Sequence, residues 1–153
     1  MRRSLFLLAL SSTLLLSACA DGKIMIISPD KTKTVTVEVE IADSAREREK
    51  GMMGRTTLEK GHGMLFAFKE PEMLKFWMKK TLIPLEILYF DADGYFVNAL
   101  TMEPCKADPC PSFSSAALAK YALEVNPGFR TENGIGVGWA LDLASVKKNA
   151  NPK

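Results

Sequence analysis

One histidine, three cysteines, two tryptophans and a scatter of carboxylates are the groups in this chain able to do chemistry. With His62 alone, a Ser-His-Asp relay or a histidine pair for a hydrolytic zinc has no material. The chain also lacks a Gly-x-Ser-x-Gly elbow and a phosphate-binding glycine loop. Glu86, Asp91 and Glu124 lie within or at the ends of strand-like runs. Two of them brought close across a sheet would serve as acid and base on a glycan, which is one function the sequence allows. The alternative for each carboxylate is an ion pair with Lys79 or Arg55. His62 with Met52, Met53, Met64, Met78 and Trp77 raises a further possibility, since thioethers select Cu(I) or Ag(I). Methionine in strands is usually core filler, however, and His62 between two glycines reads as a loop residue. No metal and no cofactor are expected.

The stretch FWMKKTLIPLEI, residues 76–87, is the most unusual in composition. An aromatic pair and a thioether run directly into two lysines. In an extended strand neighbours point to opposite faces. Phe76 and Met78 then share one face, and Trp77 and Lys79 the other. Trp77 offers a flat stacking wall, Lys79 a cation and Thr81 a hydroxyl, the usual furnishing of a small-ligand site. Arg55, held by the turn Gly51-Met52-Met53-Gly54, can fork onto an anion. Its alternative partners are Glu86 and Asp91. The expected ligand-binding surface therefore joins Arg55, Trp77, Lys79, Glu86 and Asp91. Its ligand is small and polar or anionic, such as a carbohydrate or envelope fragment. A rim role for Trp77 stands against it.

These residues must be positioned by short strands. Thr34–Ile41 alternates strictly, with Val35, Val37, Val39 and Ile41 on one face, as in a half-buried strand. Further strands are predicted over Lys23–Ile27, Gly63–Phe68, Leu74–Met78, Leu85–Phe90, Tyr95–Met102, Ala119–Val125 and Val137–Leu143. Ser28-Pro29-Asp30-Lys31 and Glu70-Pro71-Glu72 are turn chemistry. Asp91-Ala92-Asp93-Gly94 joins two of the strands as a hairpin. Ser44 with Glu47 forms a capping-box signal for one short helix near residues 44–52, and Phe129–Asn133 can add one helical turn before Gly134. Segment 103–118 reads as an ordered surface loop. The fold class is mainly β, a single compact sandwich or a partly closed barrel, and a parallel α/β sheet is not expected.

The start, MRRSLFLLALSSTLLLSAC, has a basic end and an apolar run too short to span a bilayer, as in a secretory signal. Leu16-Ser17-Ala18-Cys19 resembles the bacterial lipoprotein box, which implies cleavage before Cys19 and acylation of its thiol. In such lipoproteins an Asp directly after the cysteine is similar to an inner-membrane retention signal. Ala20 stands there, so the outer membrane is favoured. The expected layout is a signal peptide over 1–18, a lipidated tether and first strand over 19–32, a β-rich domain over 33–145 and a flexible tail over 146–153. Once Arg2 and Arg3 are removed, 18 basic residues face 18 acidic ones. No basic stripe survives, so nucleic acid is not an expected partner. The membrane is one, through Cys19, and a monomer is expected. Cys105 and Cys110 form an even pair outside the cytoplasm and read as a disulfide.

Four motifs, EREKGMMGRTTLEKGHGMLFAF, FWMKKTLIPLEILYFDADG, PCKADPCP and YALEVNPGF with NGIGVG, resemble the bacterial and archaeal family known as domain of unknown function 192. The resemblance covers residues 33–143. It implies a small exported β-rich domain with a jelly-roll-like core, and no established activity. Many members carry an acidic residue after the closing Gly-x-x-Val-Gly, where this chain has Trp139.

Overall fold

A computed structural model describes residues 21–149 of the chain. The expected signal peptide and Cys19 lie outside the described residues. The elements run β1 (Asp21–Ile27), β2 (Thr34–Ala42), α1 (Ala45–Lys50), β3 (His62–Glu72), β4 (Lys75–Trp77), β5 (Leu85–Phe90), β6 (Phe96–Met102), β7 (Ser112–Ser114), β8 (Ala119–Val125), α2 (Phe129–Asn133), β9 (Ala140–Leu141) and α3 (Leu143–Asn149). Seven strands form one sheet in the order β6-β5-β8-β3-β2-β1-β9, and β4 pairs with β7 in a second, smaller sheet. All pairings in the large sheet are antiparallel except β2 with β3. That sheet curls until its ends approach: Tyr95 bridges Ala140, and the Phe96 amide donates to the Trp139 carbonyl. The molecule is mainly β, a half-barrel drawn toward closure.

Alternation along the strands sorts side chains into two cores. Val35, Val37 and Val39 of β2 meet Leu65, Leu88, Leu123 and Val125 inside the curl, with Ile135 and Trp139 plugging its end. Leu85, Ile87 and Tyr89 point outward from the same sheet and meet Phe66, Met52, Leu74 and Met78 under the small sheet. Both faces are thus covered, which is why all six residues of β5 are buried. Trp139 fills the inner core at 8% exposure, with the Lys33 ammonium 5.7 Å from its ring centre.

Several element boundaries differ from expectation. β3 continues through Glu70-Pro71-Glu72, where turn chemistry was expected; the pairing to β8 is irregular between Ala67 and Glu72, which accommodates the proline. The last predicted strand shrinks to Ala140–Leu141. The expected flexible tail begins as helix instead. α3 buries Val146, and the Asn149 side-chain amide donates to the Lys23 carbonyl at 2.7 Å. The loop over 103–118 contains β7, which locks it to β4.

Candidate functional site

β4 leads into the site. Phe76 points inward, its ring centre 4.9 Å from that of Phe66 and 6.0 Å from that of Tyr89. Trp77 points outward at 52% exposure. The strand then stops. Met78 to Thr81 form a turn, closed by the Thr81 amide on the Met78 carbonyl at 3.2 Å. Lys80 takes φ +58°, a left-handed conformation that side chains other than glycine rarely adopt. Its carbonyl accepts from the Gly54 amide at 2.9 Å, so the glycine turn after α1 and the lysine turn after β4 are tied together. The lysines interrupt an apolar stretch because the chain surfaces there.

α1 supplies the opposite wall. Ser44 and Glu47 complete the capping box, the Ser44 amide donating to the Glu47 carboxylate at 2.9 Å and the Glu47 amide to Ser44 Oγ at 3.3 Å. Arg46, Glu49 and Lys50, three and four residues apart, share one helical face. With Met53, Trp77, Lys79 and Lys80 they line an open groove of about 500 Å³. Four of those side chains are basic and one is acidic, so the groove carries positive potential. Lys79 Nζ stands 5.4 Å from the Trp77 ring centre and 3.7 Å from Asp108 Oδ1. Asp108 sits in the loop closed by the Cys105–Cys110 disulfide, whose Cα atoms are 5.6 Å apart.

A neighbouring cleft of about 30 Å³ shares the Trp77 wall and is lined at its other side by Thr81 and Glu124. Glu124 of β8 is 4% exposed. Burial pushes its carboxyl up to about 8, so at neutral pH it is mostly a neutral acid and a hydrogen-bond donor. Beside it, burial and then the Glu124 charge raise the Tyr89 hydroxyl above the usual phenol range. That hydroxyl donates to the Phe113 carbonyl at 3.0 Å.

The other expected site residues lie elsewhere. Arg55 forks onto Glu40, with Nη1–Oε1 and Nη2–Oε2 both 2.6 Å, and onto neither Glu86 nor Asp91. That pair lines a separate groove with Glu38, Glu59 and His62, whose carboxylates disfavour an anion. Glu86 accepts from the Arg130 amide at 2.9 Å and so holds the start of α2. Asp91 accepts from the amides of Asp93 and Tyr95 at 2.9 and 2.8 Å and shapes its own hairpin. Register settles the carboxylate pair. Val125 is opposite Glu86 and Ile87 opposite Glu124, so Glu86 and Glu124 lie on opposite faces of the sheet. Asp91 is four residues along the strand from Ile87, about 13 Å from that position at the usual rise. His62 Nε2 lies 3.5 Å from Glu59 and 3.9 Å from Glu38, while Met52, Met64 and Met78 are packed in the outer core. Among the described residues no cluster of three or more His, Cys, Asp or Glu is placed to hold a metal.

The structure therefore brings Trp77 and Lys79 together and separates Arg55, Glu86 and Asp91 from them. Sequence reasoning missed Arg46, Lys50 and Lys80. The signal for the first two was present in their four-residue spacing on the one capped helix.

Residues 25–143 match the sequence profile of a family named DUF192 and described as "Uncharacterized ACR". Two crystal structures share the fold. One is a Sinorhizobium meliloti 1021 protein provisionally called a transcription regulator. It is 29% identical over 82% of this chain and 95% of its own, with a TM-score of 0.74. The other is a Novosphingobium aromaticivorans DSM 12444 protein of unknown function. It is 26% identical over 88% of this chain and 94% of its own, also with a TM-score of 0.74. Among curated proteins no match is found.

Proposed function

The chain belongs to the DUF192 family, and from that premise we propose that it is a small-ligand binding module of the cell envelope, fastened to the membrane through an acylated Cys19 and taking a small anionic molecule in the Trp77 groove. The observation that carries this is the convergence of Arg46, Lys50, Lys79 and Lys80 around an exposed tryptophan face. An indole that far out of the core loses the benefit of burial, worth roughly 1.5–3 kcal/mol for a large apolar side chain. A ligand stacked on it restores part of that. The left-handed backbone at Lys80 adds weight, because local strain concentrates at binding turns.

Calorimetric titration with phosphate, citrate and gluconate tests the proposal. At least one of these anions binds the wild type, and Trp77→Ala and Lys79→Ala each weaken that binding about tenfold, or ~1.4 kcal/mol. Binding that ignores both substitutions, or a panel in which nothing binds, overturns it.

A further inference from the structure

Thr81 is 6% exposed and Glu124 4%, yet no hydrogen bond among the described residues involves either side chain. Every fully buried side-chain nitrogen or oxygen among the described residues does have a partner. The polar atoms of Thr81 and Glu124 are therefore reached from the cleft they line. Both side chains line the cleft and neither has a hydrogen-bond partner among the described residues, so an occupant of the cleft can bond to both. Its volume of about 30 Å³ matches one water-sized group. It shares Glu49, Lys50, Met53 and Trp77 with the lining of the cationic groove. A group held at the inner end thus belongs to a molecule whose remainder lies among the basic side chains.

We infer that Thr81 and Glu124 form a hydroxyl-recognising inner end of the Trp77 groove, so that the ligand class is a small polyhydroxylated anion, a sugar acid or a sugar phosphate. The inference rests on the proposed anion-binding role of the groove and adds the chemistry of the other end of the ligand. A ligand hydroxyl can donate to Thr81 Oγ1 and accept from the protonated Glu124 carboxyl. A hydroxyl both donates and accepts, so it can engage the two groups at once. An ionised Glu124 only accepts, and it also repels the anion. Binding therefore weakens as pH rises through the range in which Glu124 loses its proton. Arg46, Arg48, Glu49 and Lys50 from α1, Lys79 and Lys80 from the turn, Asp108 beside Lys79, and Tyr89 from β5 are the other ionisable groups around the cleft and the groove among the described residues. Any pH dependence that survives in Glu124→Gln belongs to them.

Calorimetric titration of the full chain with gluconate, glucose 6-phosphate, glucose and inorganic phosphate at pH 6.5 and pH 9 decides the matter. The hydroxylated anions are expected to bind at least tenfold more tightly than inorganic phosphate. Whichever of gluconate and glucose 6-phosphate binds more tightly identifies the acid or the phosphate ester as the source of charge. Thr81→Val removes the advantage over phosphate. Raising the pH weakens gluconate binding several-fold in the wild type and less in Glu124→Gln. Hydroxylated anions that bind no better than phosphate, or that ignore Thr81→Val and Glu124→Gln while still weakened by Lys79→Ala, overturn the inner end and leave the groove standing. If no anion binds, or Lys79→Ala changes nothing, the anion-binding role falls. The inner end then survives only if glucose binds and Thr81→Val abolishes that binding; absence of glucose binding overturns it as well.

Discussion

Glu124 shows what one residue costs the fold and when. Its carboxyl titrates near 4.5 when exposed and is pushed up to about 8 in the folded chain by burial. Between those values the native state holds a proton that the unfolded state has released. Stability therefore falls as pH rises from about 4.5 and levels off above about 8. The linked loss is of order 3–5 kcal/mol at most, since a tenfold difference in proton affinity corresponds to about 1.4 kcal/mol. Thermal melts between pH 5 and 9 should show this decline in the wild type and a flatter profile in Glu124→Gln; equal slopes in the two proteins would remove Glu124 as the cause. Little of this was visible in the sequence. Glu124 stands in a run of apolar strand residues, so its place in a strand was legible, but which face it takes depends on register with β5 and β3. The same limit hid the partner of Arg55. Glu40 is fifteen positions away, and only the path of α1 and its following turn makes it the near carboxylate in place of Glu86 or Asp91.

Elements, in contrast, were legible where the pattern was local. Strict alternation marks β2, turn residues mark the β5–β6 hairpin, and the Ser44–Glu47 box marks α1. Elements defined by distant partners were not. β7 is three residues long and exists because β4 pairs with it, while α3 is helical because Val146 and Asn149 dock on β1 and its surroundings. The disulfide loop belongs with β4 and β7, since the Cys105 amide reaches the Met78 carbonyl at 3.4 Å. Closing so short a loop removes chain entropy worth about 2 kcal/mol. Cys105→Ser with Cys110→Ser should lower stability by about that amount in denaturant titrations, and reductant should reproduce the loss in the wild type. A double variant as stable as the wild type, with Asp108 still beside Lys79, would mean that strand pairing alone holds the loop.

At the scale of the molecule, composition and strand spacing sufficed for a mainly β fold but left a sandwich and a partly closed barrel both open. Near-closure by β9 was not legible, because two residues of strand leave no pattern. That architecture bears on attachment. β1 begins at Asp21, so only Ala20 separates it from the proposed lipid-bearing Cys19. An anchor there holds the domain against the bilayer with almost no slack. Lys147 and Lys148 at the end of α3 lie at the same end, where Asn149 meets Gly22 and Lys23. Two exposed lysines near an anionic surface add roughly 1 kcal/mol each, a contribution that salt screens. Acyl chains contribute about 0.8 kcal/mol per buried CH₂ and are indifferent to salt. The two sources of attachment therefore separate in one experiment. The wild type should stay in the membrane fraction through a 1 M salt wash, roughly the strength at which charges are screened beyond 3 Å. Cys19→Ala should appear in the soluble fraction whatever the salt. A wild-type chain stripped by salt would assign the attachment to the lysines, and a Cys19→Ala chain that stays bound through the wash would assign it to the uncut apolar leader.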